Sequence, residues 1–272
     1  MLYRELSNGV RLPMVMLGTF DAHKGGEMKR IISEAYNIGY RALDTASIYN
    51  NEELIGKALK ELGIIDDVII TSKLWNDMHD YNDALHAFDM SEKRLGRIDV
   101  YLIHWPTSKG FLEAWKALEH IYNEGRVKAI GVSNFLIHHL ELLIKNSEVL
   151  PMINQIETHA YFMDLDTIDF CKKNNISLEA WGPLMRTGNL LENEDIRSIG
   201  KKYGKSTAQV ALRFLIQKGI IVLPKSIHFD RLKENFSIFD FELNKNDIKF
   251  LESLNSGNRV GPHPDNMDII EI

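Results

Sequence analysis

The 272-residue chain has a single cysteine, Cys171, which excludes an intrachain disulfide and any cysteine-based zinc or iron–sulfur site. Its 18 glycines and 7 prolines are too few for a collagenous or low-complexity chain. Base is not in surplus. The 32 Lys and Arg stand against 38 Asp and Glu, a formal charge of −6, which argues against broad binding of nucleic acid or anionic membranes. No run approaches the ~18 consecutive apolar residues of a membrane span. The opening Met1-Leu2-Tyr3-Arg4-Glu5 lacks the apolar core of a signal peptide. The expectation is a soluble, cytoplasmic protein. What is present, 44% hydrophobic and 26% charged residues, is ordinary for a globular chain.

Two kinds of segment alternate along the chain. Short β-rich runs at 14–18, 40–43, 68–71, 100–103, 128–132, 152–156, 176–180 and 220–223 include several continuous apolar stretches, as expected of strands covered on both faces in a parallel sheet. Between them lie helical patterns. Met28, Ile31, Ile32, Ala35 and Ile38 form one apolar face, and Leu54, Ile55, Ala58, Leu59 and Leu62 another. Gly39, Gly63, Gly96, Gly125 and Gly219 stand where those helices should stop.

Notable residues close each run: Gly18, Asp44, Lys73, His104, Ser133, Gln155, Trp181 and Lys225, spaced by 26, 29, 31, 29, 22, 26 and 44 residues. Most of these spacings match one strand–helix unit of roughly 30 residues. The longest leaves room for an extra helix over 192–203 before another over 207–218. Eight such units predict an α/β chain folded as a (β/α)₈ TIM barrel. Asn8-Gly9 between two short apolar segments predicts an N-terminal β-hairpin able to cap the barrel floor. An open doubly wound sheet stays open as the alternative, although no G-x-G-x-x-G follows the first strand. With no linker or charge block, residues 1–272 read as one domain.

In a barrel the C-terminal ends of the strands face the active-site mouth. Asp44, Lys73 and His104 end successive strands, and Tyr49 lies five residues beyond Asp44. Each alone has an ordinary structural explanation, such as an aspartate capping a helix. Together they make a charge chain: a carboxylate holds an ammonium, and the ammonium favours ionisation of a phenol. A phenol with a reference pKa near 10 is too weak an acid at neutral pH, and a neighbouring cation lowers that value. Tyr49 is thus a candidate general acid.

The segment Gly39-Tyr40-Arg41-Ala42-Leu43-Asp44-Thr45-Ala46-Ser47-Ile48-Tyr49-Asn50-Asn51-Glu52 resembles the signature of the aldo-keto reductase superfamily. Thr71-Ser72-Lys73-Leu74-Trp75-Asn76, Leu102-Ile103-His104-Trp105-Pro106, Ile130-Gly131-Val132-Ser133-Asn134-Phe135, Asn154-Gln155-Ile156-Glu157 and Leu223-Pro224-Lys225-Ser226 continue the match in order, from about residue 9 to residue 264. The pattern is most similar to diketogluconate-reductase-like and prostaglandin-F-synthase-like members. The resemblance implies reduction of an aldehyde or ketone to an alcohol by a tetrad of Asp44, Tyr49, Lys73 and His104. Tyr49 would donate the proton, Lys73 held by Asp44 would lower the phenol pKa, and His104 would orient the carbonyl. Donors aimed at the oxygen on which charge builds favour the transition state over the ground state.

None of these residues can deliver hydride, so a reduced nicotinamide is required. The resemblance implies that it lies extended across the barrel mouth, with Gly18, Thr19 and Asp44 among its contacts. Ser133, Asn134 and Gln155 would bind the carboxamide, and Trp181 would stack on the ring. Gly182, Pro183 and Leu184 would pass the pyrophosphate. Lys225, Ser226, Ile227, His228, Arg231, Glu234 and Asn235 resemble the adenosine clamp, and its cations suit a 2′-phosphate, favouring NADPH. His228 stands where related enzymes often carry Arg, which leaves NADH possible.

Phe20, Trp75 and Trp105 are expected to line the substrate pocket beside Tyr49 and His104. The short stretches 105–111 and 185–190 and the brief tail after Arg259 predict an open, permissive site. A small carbonyl compound is the expected partner, and a monomer the expected state. Two other readings stay open: a catalytically weak NADPH-sensing regulatory subunit, as in relatives from potassium-channel complexes, and a barrel aldolase using Lys73. No metal is expected, because His138-His139 and His159 lack the spacing and carboxylate of a hydrolytic zinc site. Cys171 reads as a small buried hydrophobe.

Overall fold

A computed structural model describes residues 2–22, 27–107, 110–185 and 189–269, apart from the side chains of 268 and 269. The chain opens with a hairpin, β1 (Tyr3–Glu5) and β2 (Arg11–Pro13), paired antiparallel with Arg4 opposite Leu12. Asn8 and Gly9 turn it, as expected. Asn8 Nδ2 reaches Lys128 O at 2.9 Å and Arg4 reaches Ser177 Oγ at 3.4 Å. Both contacts lie where barrel strands begin, so the hairpin sits under the floor.

Eight parallel strands and their helices follow in sequence order. They are β3 (Leu17–Gly18), α1 (Met28–Ile38), β4 (Ala42–Asp44), α2 (Glu52–Leu62), β5 (Ile69–Leu74), α3 (Tyr81–Leu95), β6 (Val100–Ile103), α4 (Phe111–Asn123), β7 (Ala129–Ser133), α5 (Ile137–Lys145), β8 (Ile153–Glu157), α6 (Leu165–Lys173), β9 (Ser177–Trp181), α7 (Glu194–Tyr203), α8 (Thr207–Gln217), β10 (Ile221–Leu223), α9 (Phe229–Phe236) and α10 (Lys245–Ser253). Each barrel strand pairs with its sequence neighbour, as right-handed strand–helix–strand units require. The barrel closes between its ends. Val15 bridges Val222 in parallel, Met16 N donates to Val222 O at 3.0 Å, and Gly18 N donates to Pro224 O at 3.2 Å.

The apolar runs are strands because both faces are covered. Val100, Tyr101, Leu102 and Ile103 of β6 are fully buried, as are Ala129, Ile130 and Val132 of β7. Burying one such side chain contributes roughly 1.5–3 kcal/mol. The face predicted for α1 is buried at Met28, Ile31, Ile32 and Ala35. In α2, Ile55, Ala58 and Leu59 turn inward, but Leu54 is 42% exposed. It lies ~100° around the helix from Ile55, off the arc that meets the barrel. Gly39, Gly63 and Gly96 directly follow their helices, whereas Gly125 and Gly219 fall two residues beyond theirs. The expected extra helix begins later, at Glu194, where Asn193 accepts a bond from Ile196 N. Among the described residues no helix is long and apolar enough to cross a membrane.

Two boundaries matter for function. The strand expected to stop at residue 71 runs to Leu74, and the one expected to stop at residue 156 runs to Glu157. Lys73 therefore lies within its strand, and Glu157 joins Gln155 in β8; all three side chains are buried.

Candidate active site

Asp44 ends β4, and its carboxylate oxygen Oδ1 lies 2.6 Å from Lys73 Nζ, whose side chain has no exposed area. The ammonium also donates to Thr45 O at 2.9 Å. Burial alone would lower the lysine pKa, but Asp44 and Tyr49 outweigh it and the value is raised. Lys73 is thus a lasting cation. That argues against the Schiff-base reading, since a protonated amine is a poor nucleophile.

Tyr49 is delivered by a 3₁₀ turn, Ser47–Tyr49, held by Ser47 Oγ donating to Lys73 O at 3.1 Å. The turn ends on Asn50 in a left-handed conformation, φ 53°, which Asn tolerates. Glu52, at the start of α2, is buried and accepts from Ser72 Oγ at 2.6 Å and Arg94 Nε at 2.8 Å. This pins the loop to the strand that carries Lys73, whose Nζ lies 5.2 Å from the centre of the Tyr49 ring.

His104 packs edge-on to Tyr49, with ring centres 5.7 Å apart. Burial first, then the charge of Lys73, holds its pKa well below the usual histidine value, so the ring is neutral at neutral pH. Its buried Nδ1 has no hydrogen-bond partner among the described residues. The aromatic wall is present. Phe20 meets Tyr49 edge-on at 4.8 Å and Trp75 meets His104 at 5.1 Å. Trp105, expected to line the pocket, is buried and stacks against His104 at 6.3 Å, so it supports that ring. Residues 108–109 and 186–188 of the two short loops lie outside the described residues.

Residues expected to hold the cofactor gather at the same mouth. Thr19 Oγ1 donates to Asp44 O at 2.8 Å. Ser133 Oγ donates to Gln155 O, and Asn134, at φ 64°, donates to Ser133 Oγ and His104 O. Trp181 Nε1 donates to Asn134 Oδ1 at 2.7 Å, so the indole is fixed by the pair it was expected to accompany. Gly182 (φ 60°) and Leu184 turn the chain, closed by Met185 N donating to Gly182 O. On the far side Lys225, His228 and Arg231 are exposed. Ser226 is buried, its hydroxyl accepting from His228 N at the start of α9. Asn235 is buried and Glu234 half-buried on the same helix.

Sequence comparison agrees with this geometry. The model of the aldo/keto reductase family matches residues 16–256. The chain belongs to the aldo/keto reductase family. The glyoxal reductase of Bacillus subtilis (strain 168) is 46% identical over 97% of this chain and 96% of its own length. An aldo-keto reductase from a Medee basin deep-sea metagenome library superposes with a TM-score of 0.94 at 43% identity, covering 97% of this chain and 98% of that one. A silkworm (Bombyx mori) aldo-keto reductase complexed with NADPH has a TM-score of 0.90 at 33% identity, covering 96% and 90%. The protein is accordingly an oxidoreductase built on the family barrel.

Three groups at this aldo/keto reductase mouth escaped the sequence reading. Glu179, in the middle of β9, accepts from Gln155 Nε2 at 2.8 Å. It shares the inward face of Trp181 two residues on, and a lone acid in an apolar strand was the available signal. Glu157, fully buried, accepts from Val260 N at 2.5 Å and Gly261 N at 3.1 Å, tying the tail across the mouth. A side chain at Gly261 would collide with the Trp181 indole.

The third is Asp265, which the folded tail brings to His138 and His139, while His159 has its carboxylate only two residues before it in sequence. Glu157 lies 3.2 Å from His159, and Asp265 lies 3.1 Å from His138 and 3.4 Å from His139. Leu136 N donates to His139 Nδ1 at 3.2 Å, which places that ring's proton on Nε2, facing Asp265. These contacts tie the tail to α5, and the ligand atoms that His138, His139 and Asp265 offer all lie within 4.8 Å of one another, close enough together to hold a metal ion. Cys171 is fully buried in α6, and burial pushes its thiol up to about 12.

Proposed function

We propose that the protein reduces small aldehydes and ketones to alcohols with NADPH, Tyr49 supplying the proton. The observation that carries this reading is the buried Lys73 ammonium, locked by Asp44 at 2.6 Å, with the Tyr49 ring 5.2 Å away. That cation favours the phenolate, which makes the phenol a stronger acid. His104 is neutral, so it orients the carbonyl oxygen by hydrogen bonding and leaves proton donation to Tyr49. As negative charge builds on that oxygen, the Tyr49 O–H moves its proton across. The phenolate left behind is stabilised by Lys73 until it is reprotonated.

The residues present fit NADP(H), which supplies the hydride when bound. Gln155 donates its amide N–H groups to Asp44 and Glu179, which leaves its carbonyl as an acceptor for a carboxamide. Ser133 and Asn134 stand beside it. The exposed cations Lys225 and Arg231 flank the start of α9, where a 2′-phosphate finds both charge and backbone N–H groups. His228 in place of a third strong cation leaves room for NADH. Short loops around an aromatic wall suit small substrates. The Bacillus subtilis relative's name makes glyoxal and related α-dicarbonyls the first compounds to try. No observation favours the regulatory-subunit reading, since the tetrad is intact and mutually engaged.

The decisive variant is Tyr49→Phe, assayed by NADPH oxidation with glyoxal. Turnover should fall by roughly a hundredfold or more, the scale of a lost general acid. NADPH should still quench the fluorescence of Trp181. Undiminished turnover would refute the acid role.

A further inference from the structure

We propose that Glu179 is a positioning residue of the reductase site, a buried carboxyl joined to Asp44 through Gln155 whose ionisation weakens the acidity of Tyr49. This rests on the reductase reading above and adds to it a control of the proton step.

The geometry joins two carboxyls through one amide. Gln155 Nε2 donates to Asp44 Oδ2 and to Glu179 Oε2, each at 2.8 Å. Glu179 has no exposed area, and its second oxygen, Oε1, has no hydrogen-bond partner among the described residues. An anionic oxygen without a donor is far more costly to bury than a neutral one. The groups facing it are few. Asp44 faces it from β4, Lys73 from β5 and Gln155 from β8, while its β10 partner is the buried, apolar Ile221.

Charge counting then decides the protonation state. One ammonium serves two carboxyls, and the 2.6 Å contact assigns it to Asp44. Burial, then repulsion from Asp44, raises the Glu179 pKa to about 7. Below that pH the Asp44–Lys73–Glu179 group is neutral overall, and the ammonium acts on Tyr49 opposed by one anion. Above it a second anion lies close to Lys73. The potential at the phenol then becomes less positive, its acidity falls, and proton delivery to the carbonyl slows. Glu179 touches none of the reacting atoms and acts only through Gln155, Asp44 and Lys73.

The test is the pH profile of single-turnover reduction at saturating NADPH and aldehyde, compared between wild type and Glu179→Gln. Wild type should lose roughly three- to tenfold in rate between about pH 6 and pH 8, a field effect of up to one pKa unit on the phenol. Glu179→Gln keeps the shape and a hydrogen-bonding group but cannot ionise, so its profile should stay flat there. Glu179→Asp should restore a step. A step that persists unchanged in Glu179→Gln would overturn the proposal. Infrared difference spectra of the wild-type enzyme provide a readout that needs neither turnover nor a folded variant. A protonated carboxyl band should disappear as pH rises through about 7, and the absence of any such band would also overturn it. Failure of every aldehyde to oxidise NADPH would instead sink the reductase reading, while the infrared titration still decides whether Glu179 carries the proton.

Discussion

A lysine with no exposed area is among the more costly residues a fold can hold, and Lys73 is tolerated because its donor contacts are made with oxygens at the end of β4 and on the residue after it. Its removal therefore has two separable effects. Lys73→Met should cost about 3–5 kcal/mol in urea unfolding, because Asp44 is left buried without its cation. Turnover should fall by roughly a hundredfold or more, because Tyr49 loses the field that acidifies it. A variant as stable and as active as wild type would show that the pair is ornamental. At this scale Asp44, Lys73 and His104 were legible in the sequence, since each stands at or just past an apolar run where a strand should meet the mouth, and Tyr49 was legible from its place five residues beyond Asp44. Glu179 and Glu157 interrupt similar runs, yet their meaning depends on which face of β9 and β8 looks inward and on what crosses the barrel to meet them. Asp265 was illegible as a partner of His138, because only the folded tail brings them together.

Strand–helix alternation was legible because burial on both faces forces continuous apolar runs in the strands and leaves helices one apolar arc. Boundaries were less so. Of the run 14–18 only Leu17–Gly18 forms a regular strand, with Val15 contributing a single bridge that closes the barrel. Leu54 matched a helical face by type, but the curvature of the barrel wall admits only part of that face. The one glycine inside β7 shows what element packing demands. A Cβ on Gly131 would lie 2.6 Å from Ile153 O and 2.9 Å from Leu102 Cδ2, on the two strands that flank β7. The Ile153 carbonyl cannot withdraw without disturbing the ladder that leads to Ser133 and Gln155, and Leu102 would have to turn its side chain within a full core. Gly131→Ala should therefore cost about 1–3 kcal/mol, the range for overpacking a full core. The denaturation midpoint reports this directly, and an unchanged midpoint would mean that the strands adapt more freely than their pairing implies.

Across the whole molecule, closure of the barrel leaves one end sealed by the hairpin and the other crossed by the tail. After α10 the chain returns over the mouth. Asn255 exchanges two bonds with Met163, Ser256 and Asn258 donate to Tyr161 O, and Asp265 reaches the histidines of α5. The His–Asp contacts are partly exposed and contribute little. The strong anchor is Glu157, a fully buried carboxylate that accepts two backbone N–H groups and has Arg259 at 3.7 Å. Hydrogen bonds to a charged acceptor contribute roughly 1.5–3 kcal/mol each. In Glu157→Gln one acceptor oxygen and the charge are lost, so the tail should open locally far more often while the barrel stays folded. Proteolysis under native conditions should then cut near residues 259–261 roughly tenfold faster or more, following the population of the open form. The thermal midpoint should move much less, because these contacts lie outside the strand ladder and the packed core. Equal cleavage rates in the two proteins would mean that the tail is held elsewhere, and a collapse of the midpoint would mean that Glu157 supports the barrel itself.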